Sequence, residues 1–192
     1  MTGKFTGNGT FHFENGNDYS GEWVNGLPDG FGTMIFSNND QYEGDWSKGK
    51  MHGQGEYHFF DKNSQRFIEK YVGQFSEGKR HGIGTMLYKN RSKYIGTWQN
   101  NMRTGDGLFF FPSGDIFHGI WKFDVMIRGV FALVNGERYD GEIKEGTFNG
   151  YGKYFWSDGS WYEGTWKEGK PLTGVKYGKT GVIAEYKDGT LL

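Results

Sequence analysis

The chain has 192 residues and a net charge of −1, with 22 basic and 23 acidic side chains interspersed, which excludes the basic surface of a nucleic-acid binder. It holds 34 glycines and no cysteine, with 19% aromatic residues at a mean hydropathy of −0.74. Disulfide and thiolate chemistry are thereby excluded, and so is a two-layer domain with an aliphatic core.

The first residues lack an apolar signal core, and no run of about 18 apolar residues offers a membrane span. The expected location is therefore cytoplasmic. A half-repeat, Gly7-Asn8-Gly9-Thr10-Phe11, occupies 5–18. Full units then open at Tyr19-Ser20-Gly21-Glu22-Trp23, Tyr42-Glu43-Gly44-Asp45-Trp46, Tyr71-Val72-Gly73-Gln74-Phe75 and Tyr94-Ile95-Gly96-Thr97-Trp98. Three more open at Phe117-His118-Gly119-Ile120-Trp121, Tyr139-Asp140-Gly141-Glu142-Ile143 and Tyr162-Glu163-Gly164-Thr165-Trp166, at successive spacings of 23, 29, 23, 23, 22 and 23 residues. The unit at Tyr42 carries extra residues within 61–70, and 176–192 closes the chain as a cap.

Each opener leads through a Gly-containing turn to a Gly-x-Gly, as at Gly30/Gly32, Gly53/Gly55, Gly82/Gly84, Gly105/Gly107 and Gly150/Gly152. Alternation of period two in both halves reads as two antiparallel strands joined by a turn. The fold class is all-β: an elongated, single-layer, twisted antiparallel sheet built from about seven tandem β-hairpin repeats, one array over 1–192. A glycine inside a strand is ordinarily a defect. Its recurrence beside a tyrosine points to rings lying on bare backbone, which lets one layer stand without a second sheet. The units at Phe117 and Tyr162 carry a single glycine, Gly129 or Gly174, which reads as one position late; in the unit at Phe117 the extra residue reads as a β-bulge. A local bend near Gly129 is expected from it.

The pattern Tyr-x-Gly-x-Trp-x-x-Gly-x-x-x-Gly-x-Gly resembles the MORN repeat (membrane occupation and recognition nexus) over roughly residues 5–175. The resemblance implies a single-layer sheet used as a binding platform in cytoskeletal, ciliary or membrane-junction assemblies. It points to the cytoskeleton or a cilium or flagellum axoneme as the place of action.

No catalytic apparatus is visible, and no cofactor or metal is expected. Gly178-Lys179-Thr180 lacks the preceding glycine and following helix of a phosphate loop and reads as a hairpin turn. His52 and His81 share a position before a glycine and read as polar turn residues rather than ligands. The aromatic rows carry the functional content. Met34/Phe36, Tyr57/Phe59, Met86/Tyr88, Phe109/Phe111 and Tyr154/Trp156 share the parity of the Gly-x-Gly, so one face gains about four large apolar side chains per repeat. These rings either cover one another and the glycines or form an uncovered groove for a partner peptide or helix. The candidate contact residues are Tyr42, Trp46, Phe59, Tyr88, Tyr94, Trp98, Phe109, Phe111, Trp121 and Trp156, with Val125 and Met126 as an apolar turn patch that either meets a partner or folds back on the sheet. On the opposite face Ile35, Leu87, Phe110, Phe155, Ile95 and Ile120 rank second.

The leading expectation is a non-catalytic protein-interaction scaffold. The alternative is a peripheral module for phosphoinositides or other anionic lipid, which requires Lys48, Lys50, Lys79, Arg80, Lys167 and Lys170 to align along one rim. Exposed end strands also allow end-to-end homodimers.

Overall fold

A computed structural model describes residues 4–192. Its described residues form seventeen strands and no helix: β1 (Gly7–His12), β2 (Asp18–Val24), β3 (Leu27–Ile35), β4 (Gln41–Ser47), β5 (Lys50–Asp61), β6 (Arg66–Ser76), β7 (Lys79–Leu87), β8 (Lys93–Gln99), β9 (Met102–Phe110), β10 (Ile116–Lys122), β11 (Val125–Ala132), β12 (Arg138–Lys144), β13 (Thr147–Phe155), β14 (Trp161–Lys167), β15 (Lys170–Gly178), β16 (Gly181–Lys187) and β17 (Thr190–Leu191). No helix is long and apolar enough to cross a membrane. The chain divides into two compact units, one ending at Met102 and the other spanning Arg103–Leu192. In each unit, every strand pairs antiparallel with its sequence neighbour.

The register explains the glycine excess. Within the first unit, Gly9, Gly21, Gly32, Gly44, Gly55, Gly73, Gly84 and Gly96 stand directly opposite one another, strand after strand. Within the second, Gly107, Gly119, Gly129, Gly141, Gly152, Gly164 and Gly174 do the same, and Tyr186 ends the row. Tyrosine rings lie along this bare strip. A Cβ added at Gly152 would come 2.5 Å from the Tyr139 hydroxyl and 2.6 Å from its Cζ, so nothing larger than glycine fits under the ring.

The ring also satisfies its own polar end. The hydroxyls of Tyr19, Tyr42, Tyr71, Tyr94, Tyr139 and Tyr162 each donate to the carbonyl three residues on, at 2.8–3.1 Å. Indole Nε1 of Trp23, Trp46, Trp98, Trp121 and Trp166 donates to the glycine carbonyl fourteen residues earlier, at 3.0–3.3 Å. Each of these eleven rings thus spends its one donor on the backbone of the sheet, as buried Tyr and Trp must.

The first glycine of Gly-x-Gly serves a different end. Gly21 faces Gly32, yet Trp23 faces Pro28, so Asp29, Gly30 and Phe31 oppose Glu22 alone. This wide bulge needs left-handed backbone, with φ of 102° at Gly30, 55° at Gly53 and 66° at Gly150, which glycine adopts without steric cost. The amide after it leaves the ladder and is caught by the acidic or amide side chain of the opener. Phe31 N–H donates to Glu22 Oε1 (2.8 Å), Gln54 to Asp45 Oδ2 (2.8 Å) and Ile83 to Gln74 Oε1 (2.9 Å). The bulge also turns a carbonyl toward the next hairpin, whose turn amide hooks onto it: Gly49 to Pro28, Gly78 to Met51 and Gly169 to Phe148, at 2.8–2.9 Å.

One expectation is corrected here. Gly129 and Gly174 are not late. They occupy the glycine row, opposite Gly119 and Gly164. The hairpin between Gly119 and Gly129 is one residue shorter than that between Gly21 and Gly32, and only Ile127 is unpaired in it. A bulge is present near Gly129, but it is smaller than in the regular repeats, where two extra residues are accommodated. The Gly-x-Gly register is lost because the smaller bulge of the shorter hairpin has no left-handed position to fill.

Candidate functional site

The tyrosine and tryptophan rows form the core. Tyr42 and Tyr94 are 0% exposed, Trp46 6%, Trp98 2% and Trp121 3%. Tyr42 and Tyr71 are held edge-on between the ring at the fifth place of their own repeat and its equivalent in the next: Tyr42 lies 5.2 Å from Trp46 and 5.0 Å from Phe75, Tyr71 5.1 Å from Phe75 and 5.4 Å from Trp98. This is the favourable T-shaped geometry. The expectation that these rows lie uncovered is therefore corrected: Tyr42, Trp46, Tyr94, Trp98 and Trp121 sit beneath the surface. Burial also raises the tyrosine pKa values by penalising the phenolate. Tyr19 is pushed up to about 12, with Glu22 adding to the effect, and Tyr42 and Tyr71 are raised further for the same primary reason.

The reachable surface is a second ring row on the same face. Tyr57 stands opposite both Tyr42 and Tyr71, and Met86 opposite Tyr71 and Tyr94, as the shared parity requires. Met34 and Met86 are buried, whereas Phe36, Tyr57, Phe59, Tyr88, Phe109, Phe111, Tyr154 and Trp156 are half-buried. In the first unit Tyr57 packs 5.6 Å from Phe36 and 4.7 Å from Phe59, and its hydroxyl donates to Asp40 Oδ2 at 2.9 Å. In the second, Phe111 lies 4.7 Å from Phe109 and 5.7 Å from Phe131, and Trp156 lies 5.1 Å from Tyr154 and 4.0 Å from Lys176 Nζ. Val125 is 49% exposed and Met126 half-buried, beside exposed Phe123. The corresponding turns elsewhere carry Asn25, Lys48, Glu77, Asn100, Glu145 or Glu168.

Sequence reasoning missed the residue nine places after each opener. It faces the opener's fifth residue across the hairpin, as Pro28 faces Trp23, Met51 faces Trp46, Arg80 faces Phe75 and Phe148 faces Ile143. The Arg80 guanidinium lies 4.5 Å over Trp98 and donates to the Asn101 carbonyl at 3.1 Å. Arg103 lies 4.3 Å over Trp121 and bonds Asp124 Oδ1 through Nε at 2.8 Å. Phe148 stacks on Tyr139 at 3.9 Å. The only available signal was the run of large or planar side chains at this place, and the bulge conceals its parity. Met51, Tyr57, Phe59, Phe75, Gly78, Arg80 and Asn101 line an open depression of about 270 Å³ in the first unit. Gly178-Lys179-Thr180 lies at the hairpin turn between β15 and β16, and the described residues hold no cluster of three or more metal-ligating side chains.

Tyrosines seated on a glycine row, with hairpins hooked turn to carbonyl, define a tandem hairpin-repeat protein. The MORN repeat model matches residues 3–18, 19–41, 42–64, 71–93, 94–116, 139–161 and 162–171, so the chain belongs to the MORN-repeat family. The unmatched stretch between residues 116 and 139 is the repeat with the shortened hairpin. No curated protein matches the chain. Among solved structures it is similar to the wild-type TCP10 domain of Danio rerio CPAP, with TM-score 0.54 and 12% identity over 94% of this chain and 84% of that one. It is also similar to the SAS-4 TCP domain of Drosophila melanogaster, solved in complex with a proline-rich motif of Ana2, with TM-score 0.48 and 10% identity over 91% of this chain and 85% of that one.

Proposed function

We propose that this protein is a non-catalytic scaffold that holds a partner peptide or helix on its second ring row, within a cytoskeletal or ciliary assembly. The observation that carries the reading is the depression bounded by Met51, Tyr57, Phe59, Phe75 and Arg80. It joins half-buried rings to one guanidinium already seated on Trp98. Aromatic, Met and Arg side chains at a rigid surface are the composition of interaction hot spots. Membership of the MORN family supports a binding role and the cytoskeletal setting.

A protein partner is favoured over anionic lipid by the state of the basic side chains. Lys50 is ion-paired with Glu77, Arg80 is committed to Trp98 and Asn101, and Glu145 and Glu168 occupy turns of the rim. The test is affinity purification from the native organism with wild-type protein and with Phe59→Ser. That position is half-buried, so the variant keeps the Tyr–Trp stack intact. A partner retained by the wild type and lost by the variant is the expected result. The same partners at the same yield from both would remove the ring row as the contact. Flotation with phosphoinositide vesicles at physiological salt is expected to leave the protein at the bottom of the gradient.

A further inference from the structure

The face opposite the Tyr–Trp stack carries, in the second unit, a cross-strand row of its own: Arg138, Phe155, Trp161, Tyr177 and Val182 stand directly opposite one another on β12–β16. The Arg138 guanidinium lies 4.6 Å over Phe155. Phe155 and Trp161 are stacked at 6.4 Å, and Trp161 lies 4.1 Å from Tyr177 with the rings 15° from parallel. Lys153 Nζ sits 5.6 Å from the Trp161 ring. None of these rings touches the glycine row, so packing of the sheet does not account for them.

Their donors set them apart from the other rings. Five tryptophans donate Nε1 to glycine carbonyls and six tyrosines donate to backbone carbonyls. Trp161 Nε1 and the Tyr177 hydroxyl have no partner among the described residues, and neither is enclosed: the one buried side-chain polar atom without a partner is Ser160 Oγ. Two adjacent, solvent-facing donors on a flat aromatic row ask for acceptors. The flanking cross-strand row runs Asp140, Lys153, Glu163, Val175 and Glu185. Its Lys153 is ion-paired with Glu163 at 3.0 Å and its Asp140 lies 3.9 Å from the Arg138 guanidinium, which leaves Glu185 as the border acid without an ion pair among the described residues.

We propose that this row binds a proline-rich segment in the polyproline II conformation, with basic residues beside the prolines. Such a helix makes no internal hydrogen bonds, so its carbonyls are free to accept from Trp161 and Tyr177. It advances about 9.3 Å per three-residue turn, close to the ~9.6 Å of two strand spacings, so successive turns meet equivalent places on the row. An α-helix spends its carbonyls internally and leaves these donors unmet. Basic residues in the segment complement Glu185. The surface is separate from the second ring row and does not depend on it.

The test is fluorescence polarisation of the full chain against a labelled peptide of about ten residues, long enough at ~3.1 Å per residue to cross the five strands, with prolines following two arginines. Saturable binding is expected, weakened about 3- to 10-fold by Trp161→Phe and by Tyr177→Phe, each of which keeps the ring and removes only the donor. The Trp161 indole N–H resonance shifts on titration while that of Trp166, bonded to Gly152, stays in place. Phe59→Ser leaves this affinity unchanged, which separates the proposal from the ring-row reading. No saturable binding at millimolar peptide overturns it. So does equal binding of a control with the prolines replaced by Gly and Ser, or of a helical peptide of equal charge, or wild-type affinity in both Phe variants.

Discussion

The repeats that open at Tyr42 and at Phe117 build the same hairpin with different parts. The first seats a tyrosine whose hydroxyl donates to the Asp45 carbonyl at 2.8 Å, and the Asp45 carboxylate catches the Gln54 amide at 2.8 Å. The second has a phenylalanine with no hydroxyl, Ile120 in place of the acid, and a hairpin one residue shorter. What both keep is a glycine pair under a ring: Gly44 opposite Gly55 beneath Tyr42, and Gly119 opposite Gly129 beneath Phe117. Both also keep a tryptophan bonded to an earlier glycine carbonyl, Trp46 to Gly32 and Trp121 to Gly107. Close approach of ring and backbone is therefore indispensable, while the wide bulge and its cap are refinements.

The sharpest way to break that comparison is to fill the glycine row. Gly152→Ala sets a methyl 2.5 Å from the Tyr139 hydroxyl, and overpacking between a ring and a paired strand has nowhere to relax. A loss of more than about 3 kcal/mol is expected, read by chemical denaturation. Gly136→Ala, where no atom lies within 4 Å of the added Cβ, pays only for its φ of 86° and is expected to lose about 1 kcal/mol.

Removal of the cap tests the part held to be optional. Glu22→Ala strands the Phe31 amide on the bulge and is expected to cost about 1–2 kcal/mol. Ile120→Ala, at the equivalent place in the shortened repeat, strands no amide and is expected to cost less than about 1 kcal/mol, since Ile120 is 43% exposed. Equal losses in the two would show that the cap contributes nothing.

The smallest effect concerns the hydroxyls and appears only in alkali. Tyr19 ionises at pH 10.0 when unburied and at about 12 in the fold, so above pH 10 the unfolded chain releases protons that the folded chain keeps. The contribution of Tyr19 to stability is then constant below pH 10 and falls between pH 10 and 12. Phenolate absorbance should rise together with unfolding rather than before it. Phe117→Tyr adds a hydroxyl at the one opener without it. A gain of up to about 1 kcal/mol is expected near neutral pH, with a steeper alkaline loss. No gain would mean that the shortened hairpin has moved the accepting carbonyl away.

The strands, the repeat starts and the seating of rings on glycines were all legible in the sequence. Parity assigns a side chain to a face, and Tyr19, Gly21 and Trp23 share parity without interruption. Parity does not report depth. Tyr42 and Tyr71 are closed in by the next repeat's ring, so the row that looked most like a groove became the core. The wide bulge hid more. It shifts the register between Gly21 and Trp23, so Arg80 and Phe148 could not be placed by counting. Glu22, Asp45 and Gln74 looked like ordinary solvent-facing polar residues, because their partner is an amide that only the bulge exposes. Trp161 and Tyr177 are adjacent only through strand pairing, which no local pattern reveals.

Where the turn-to-carbonyl hook and the Trp-to-glycine bond occur, as from Gly49 to Pro28 and from Trp46 to Gly32, they tie a hairpin only to its immediate predecessor. Insertion or loss of a regular repeat therefore leaves such junctions intact, because a regular neighbour offers the same carbonyl at the same place. Such a chain lengthens by copying without inventing new contacts, and its cooperativity decays with distance along the array. A lineage could thus tune the number of hairpins in one molecule through unequal recombination alone.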